Sequence, residues 1–418
     1  MDKTIAEKIL SNHAKKDLRT GDYSICTVDY CFGQDGTSAL IIERIKELGV
    51  KKLANKKKFS MVIDHSAPSP NQKVSKVHKL MSNFASDYGL QLHDVGCGIC
   101  HQVIPESGAV LPGMLVLGAD SHTCSYGALN VFSTGVGSTD LAISLASGKN
   151  WFRVPETIKI IIEGKLPNGV FAKDVILHII GDVGANGYTY KAVEFYGNVV
   201  RSLSVDARLT IANMVVEMGA KAGLFEADSK TFTWLKRNGI TNKGNPQKAD
   251  RGARYSQVMR YDISKLAPQI ACPHTVDAVV AVKKMAGKLI NQGFIGTCTN
   301  GRVEDLQVAA NLLKGRKVKP GIKLIVGPAS RRVYLEALGK GIIDIFIRAG
   351  AVVINPGCGP CVGTHEGVLA DGEVAISTAN RNFKGRMGNP NAFIYLASPA
   401  TVAASVVEGK IVNPEKYF

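Results

Sequence analysis

Helical and strand-like segments alternate along nearly the whole 418-residue chain, and this alternation restricts the fold more than any single motif does. The stretch GTSALIIERIKELGV at 36–50 has apolar residues at helical spacing, FSMVIDH at 59–65 reads as a strand ending in polar residues, and KVHKLMSNFASDYGL at 76–90 is helical again. Strands that alternate with helices form α/β layers, whose chemistry collects where strands end and loops begin. The polar clusters fall at such places: Asp64-His65, GADSHT at 118–123, IGTCTNG at 295–301 and NPGCGPC at 355–361. The length exceeds the roughly 100 to 200 residues of one domain. It predicts three α/β lobes over 1–155, 156–280 and 281–418. An internal echo agrees with this division: 139–164 and 304–328 both run helix, glycine stop, basic link, proline, strand. In the middle lobe, 236–256 reads as an exposed polar excursion rich in Asn, Gly and Lys.

Hydrophobic residues at 45% and charged residues at 21% suit a folded globular chain. The opening MDKTIAEKIL has no apolar core of a secretory signal, and no apolar run approaches the roughly 18 residues of a membrane helix. The expectation is a cytoplasmic protein whose nine cysteines are reduced. A net charge of +16 raises the question of nucleic acid. The excess sits in short patches, KKLANKKK at 51–58 and KGRKVK at 314–319, without interleaved aromatics for base stacking. Solvated faces, an acidic partner subunit or anionic substrates explain it better than nucleic acid.

Cys358 and Cys361, on a loop kept irregular by glycine and proline, could be half of a zinc site, a redox dithiol or part of an iron-sulfur site. Zinc would want a further ligand, for which His365 is available. Cys298 in IGTCTNG supplies a third thiolate at a strand end. A [4Fe-4S] cluster on three cysteines would leave one iron open as a Lewis acid, whereas electron carriers close all four positions. The run CGICH at 97–101 matches covalent haem attachment, but that chemistry belongs to exported proteins.

Taken together, ICHQV, GADSHT, IGTCTNG, NPGCGPC and STANRNFKGRMG, in this order, resemble the aconitase superfamily. Within it they are most similar to large subunits of the 3-isopropylmalate dehydratase and homoaconitase type. The resemblance implies a [4Fe-4S] hydro-lyase of three α/β/α lobes around a central cleft. It assigns Cys298, Cys358 and Cys361 as cluster ligands and Arg381 and Arg386 as carboxylate clamps, roles that suit the planar guanidinium fork. It also assigns Asp64, His65, His101, Asp120 and His122 to acid-base work, with Glu194 as partner to one histidine. Gln34, Asp35, Ser121 and Asn380 are expected near substrate or cluster.

The single-chain members of the superfamily carry their carbon base on a fourth, swivelling domain, and this chain ends at IVNPEKYF soon after the arginine motif. The expectation is therefore a separate small subunit that completes the site and sets much of the substrate choice. Candidate substrates are 3-isopropylmalate first, then homocitrate and the methylmalates. An RNA-binding apo-form and a closed zinc or electron-transfer site are the readings from other classes.

Overall fold

Short apolar strands, each followed by a helix or turn, build three large sheets and one two-stranded antiparallel sheet in the computed structural model, which describes residues 2–418. The first sheet has the spatial order Gln91–His93, Phe59–Val62, Tyr30–Gln34, Leu115–Gly118, Phe132–Gly135, and every pairing is parallel. Phe59–Val62 and Leu115–Gly118 are buried at every position. Helix-covered parallel strands need this, and it is why they read as apolar runs rather than alternations. The chain works outward from Tyr30–Gln34 and then returns to place Leu115–Gly118 on its other side. A crevice opens at that reversal, beyond the carboxyl ends of the two strands.

The middle sheet runs Ala222–Phe225, Ala192–Tyr196, Thr157–Glu163, Gln257–Asp262, again all parallel. In the third sheet Phe393–Ala397, Val374–Ser377, Gln292–Ile295, Lys323–Val326 and Val352–Val353 lie parallel. The order reverses between Gln292–Ile295 and Val374–Ser377, which makes a second crevice. Gln269–Ala271 and Val279–Ala281 fall inside the span expected for the middle lobe. They instead pair antiparallel with each other and, through Gln269–Ala271, with Phe393–Ala397. The chain thus enters the third sheet before residue 269, ahead of the expected boundary near 280.

The helices expected from 36–50 and 76–90 are Ser38–Glu47 and Gln72–Tyr88. The two halves of the internal echo share local grammar but not destination. After helix Ser138–Ser147 the chain first makes Lys149–Arg153, paired antiparallel to Tyr23–Thr27, whereas helix Val303–Leu313 leads directly to Lys323–Val326 of the third sheet. The polar excursion at 236–256 is irregular over 241–250 and mostly exposed, yet it is pinned. Asn130 Nδ2 donates to the Gln247 carbonyl at 2.9 Å, and the Gln247 N–H donates to Asn130 Oδ1 at 2.7 Å.

The largest apolar core draws on all three lobes and includes Cys298, Cys358 and Cys361. No helix among the described residues is long and apolar enough to cross a membrane.

Candidate functional site

Both sheet reversals deliver side chains to one place. At the end of Gln292–Ile295 the backbone turns sharply through Gly296 and through Thr297, whose φ is 75°, and this presents Cys298. A Cβ on Gly296 would lie 2.7 Å from the Gly327 carbonyl, so glycine is required there. Thr378, just past Val374–Ser377, braces the turn: its Oγ1 accepts the Gly296 N–H at 2.9 Å. Two residues on, Asn380 Nδ2 donates to Cys298 Sγ at 3.5 Å, and Asn380 Oδ1 lies 3.8 Å from Cys361 Sγ. Asn213, on helix Val205–Met214 of the middle lobe, donates to Cys298 Sγ at 3.2 Å.

Cys358 and Cys361 share one short turn, in which the Cys361 N–H donates to the Cys358 carbonyl at 2.7 Å. The Cys358 N–H donates to the Asp64 carbonyl at 2.7 Å, tying that turn to the first lobe. Arg386 Nη2 donates to Cys361 Sγ at 3.4 Å, while its buried Nε has no partner. Burial pushes the Cys298 thiol up to about 12 and the Cys358 thiol well above the usual range. Both are therefore neutral until a metal displaces their protons. Buried thiols with amide and guanidinium donors aimed at sulfur are a donor set that fits a metal group. Cys358 Sγ also closes with an Asp64 oxygen and a His65 nitrogen to within 4.8 Å of one another.

Around the cysteines lies an imidazole and carboxylate network centred on Asp120. One Asp120 oxygen takes His101 Nε2 at 2.8 Å and the His122 N–H at 2.8 Å, and the other lies 3.5 Å from His65 Nε2. Burial works against the Asp120 charge, but His101, His122 and His65 hold its carboxyl well below the usual range. His65 Nδ1 meets Asp64 Oδ1 at 2.7 Å, and the other Asp64 oxygen accepts the Cys100 N–H at 2.7 Å. Burial lowers His65, yet the Asp64 and Asp120 carboxylates outweigh it and hold the imidazole well above its ordinary value, and the Cys358 sulfur adds to this once its proton is lost. His101 Nδ1 is buried without a partner. Ser121 Oγ lies 3.4 Å from His122 Nδ1.

Glu194 was expected to partner a histidine and does not. Its Oε1 accepts the Ile5 N–H at 2.7 Å, and its Oε2 accepts the Tyr196 and Tyr255 hydroxyls at 2.7 and 3.0 Å. Strand Ala192–Tyr196 turns this carboxylate toward the start of helix Ile5–Ala14, whose free N–H groups and dipole favour an anion. The glutamate hydrogen-bonded to a histidine of this network is Glu217, whose Oε1 meets His122 Nε2 at 2.9 Å and takes Arg381 Nε at 2.8 Å. Its sequence signal is a lone acid inside the apolar run ANMVVEMGA.

Asp35 serves the backbone: it accepts the N–H groups of Asp64, His65 and Ser66 at 2.9, 2.7 and 2.9 Å. Gln34 bonds the Gly36 N–H through its side-chain oxygen. Asp35 thus shapes the turn that holds His65, while Gln34 closes its own turn. The CGICH segment is a seam between lobes, where the Ile99 N–H donates to the Ala329 carbonyl at 2.9 Å and the Arg331 N–H to the Cys97 carbonyl at 2.9 Å. A cavity of about 550 Å³ reaches Asp120 and Ser121 from the seam of the first two lobes, past Trp151, Tyr190 and Lys221. The three cysteines and both arginines lie outside its wall.

Parallel sheets whose reversals deliver thiols, imidazoles and arginines to one cleft define a class, and residues 7–409 match the model of the aconitase family (aconitate hydratase). The chain belongs to that family. It is 54% identical over its full length to the whole 3-isopropylmalate dehydratase large subunit 2 of Archaeoglobus fulgidus. It is 51% identical to large subunit 1 of the same enzyme from Thermotoga maritima, with both chains fully covered. It is 50% identical to the 3-isopropylmalate dehydratase large subunit of Elusimicrobium minutum, covering 100% of this chain and 99% of that one. In fold it is similar to Thermococcus kodakaraensis aconitase X in its holo-form, with a TM-score of 0.50 at 13% identity over 87% of this chain and 88% of that one.

Proposed function

We propose that this chain is the cluster-bearing large subunit of a two-subunit hydro-lyase that isomerises 3-isopropylmalate by removing water and returning it with the hydroxyl on the adjacent carbon. The observation that carries this reading is the set of three buried thiols, with Cys298 and Cys361 joined through Asn380, Cys358 on the same short turn as Cys361, and the Asp120 network alongside. Those cysteines would hold a [4Fe-4S] cluster. When bound, it supplies a Lewis acid at the iron that no thiolate of the protein holds.

The chain's own residues bind, orient and move protons. Asp120 engages Nε2 of His101 and fixes the ring, so Nδ1 is the atom left to hand a proton to the departing hydroxyl. Arg386 has one nitrogen on a ligand sulfur and a buried Nε without a partner, which suits a substrate carboxylate held close to the cysteines. Arg381 is oriented for the same task by Glu217. The base that takes the carbon-bound proton is assigned to the small subunit, consistent with the large-subunit names of the relatives.

The test is anaerobic reconstitution with iron, sulfide and the cognate small subunit, followed by the ultraviolet absorbance of the alkene formed. 3-Isopropylmalate should give the highest kcat/KM among 3-isopropylmalate, homocitrate, methylmalate and dimethylmalate. Homocitrate turnover with none of 3-isopropylmalate would move the assignment to homoaconitase. Stoichiometric zinc with no iron uptake would overturn it.

A further inference from the structure

Lys173 is the second residue of helix Ala172–Val183 in the middle lobe and is fully buried. No carboxylate bonds its ammonium. Its Nζ donates instead to two backbone carbonyls of the third lobe, Thr378 at 2.9 Å and Ala379 at 2.6 Å. Those carbonyls immediately precede Asn380 and Arg381. The Thr378 carbonyl also accepts the Thr299 hydroxyl at 2.7 Å, and Thr299 follows Cys298. One ammonium thus joins the turn that presents Asn380 and Arg381 to the turn that presents Cys298. A buried charge with only neutral partners is costly, so its retention calls for a compensating negative charge nearby. Burial pulls the Lys173 ammonium down to about 8, while the Asp305 and Glu217 carboxylates and, once deprotonated, the Cys361 and Cys298 sulfurs hold it up.

We propose that Lys173 is a positioning residue of the site, which clamps the Thr378–Arg381 turn from the middle lobe and serves as the fixed counter-charge to the metal-loaded cysteines. It touches neither substrate nor sulfur. Its effect passes through the turn, which aims Asn380 and Arg381, and through its field at the thiolates. When the thiols give up their protons to a metal the site gains negative charge, and the neighbouring ammonium lowers the cost of that step. The inference rests on the iron-sulfur reading above.

The test compares the full chain with Lys173→Met, which keeps length without charge, and Lys173→Gln, which keeps a donor for the carbonyls without charge. Melting temperatures of loaded and apo protein are measured anaerobically for each, with the reduction potential of the loaded site and, in the heteromer, KM and kcat separately. The stabilisation gained on loading should shrink in both variants, and the potential should shift to more negative values. KM should rise more in Lys173→Met than in Lys173→Gln. Equal loss of stability in apo and loaded forms with an unchanged potential would reduce Lys173 to a packing residue and overturn the proposal. If Lys173→Met does not fold, Lys173→Gln decides by the same criteria, and failure of both to fold would equally overturn the role in favour of a requirement of the fold. Absence of iron and sulfide in the parent would instead overturn the iron-sulfur reading itself.

Discussion

At the scale of single residues, the three thiols gathered at the site differ from the other six, of which Cys26 and Cys124 spend their S–H on backbone carbonyls. Replacing any one of Cys298, Cys358 or Cys361 with serine should abolish iron and sulfide incorporation, because three ligands are the minimum that hold a cluster on one side. Cys124→Ser should retain both, since the Cys124 thiol is engaged by the Asn213 and Ser121 carbonyls at 3.4 and 3.8 Å. Iron and sulfide assays on anaerobically loaded protein check this. Arg386→Lys should keep the metal content and lose turnover on the order of a hundredfold. Lysine keeps the charge but not the rigid fork that meets sulfur and a carboxylate together, and a roughly 1 Å misplacement costs that much. Unchanged turnover per cluster in that variant would remove Arg386 from the site.

These residues were legible because cysteine and glycine-bracketed arginine motifs announce themselves locally. Glu217 was not, because its partner His122 lies 95 residues away and nothing beside Glu217 is polar. Glu194 misled for the converse reason. It too is a lone acid among apolar neighbours, and which way a strand turns its side chains is set by pairing and by a distant helix start, neither of which has a local signal.

At the scale of elements, the α/β alternation gave the strands and helices, while very short pieces escaped it. Gln269–Ala271 and Val279–Ala281 are three residues each, too few for a period of two to register, so their membership of the third sheet was hidden. Close approaches between elements were equally silent. The segment Ser121–Leu129 carries His122 and crosses strand Ala222–Phe225 so tightly that a Cβ on Gly127 would lie 1.9 Å from the Gly223 carbonyl. Only backbone movement relieves such a contact. Gly127→Ala should therefore cost about 1–3 kcal/mol of stability, as overpacked sites do, and displace His122. Urea unfolding checks the first effect. An unchanged midpoint would mean that the two elements slide apart freely.

At the scale of the whole molecule, the site lies where the three lobes meet, and Glu217, like Asn213, bonds side chains of both other lobes. It stands on the turn Val215–Met218 of the middle lobe, bonds His122 of the first and pairs with Arg381 of the third through both oxygens, at 2.8 and 3.0 Å. Burial raises a carboxyl, but His122 and Arg381 outweigh it and hold Glu217 below its ordinary value of 4.5. For an acid depressed in the folded state, the stability it contributes is complete above that ordinary value and is lost as pH falls through the lower folded value. Glu217→Gln keeps the shape and one acceptor but leaves the Arg381 charge facing a neutral amide, so the loss at neutral pH should be on the order of 3 kcal/mol. The gap between parent and variant should hold steady from neutrality down to 4.5 and narrow only below it, as the parent's own carboxylate takes up its proton. Urea unfolding of both proteins across that range measures the gap directly. A gap that stays constant into strong acid would show that Glu217 does not hold the lobes together as an anion, and the junction would then rest on packing alone.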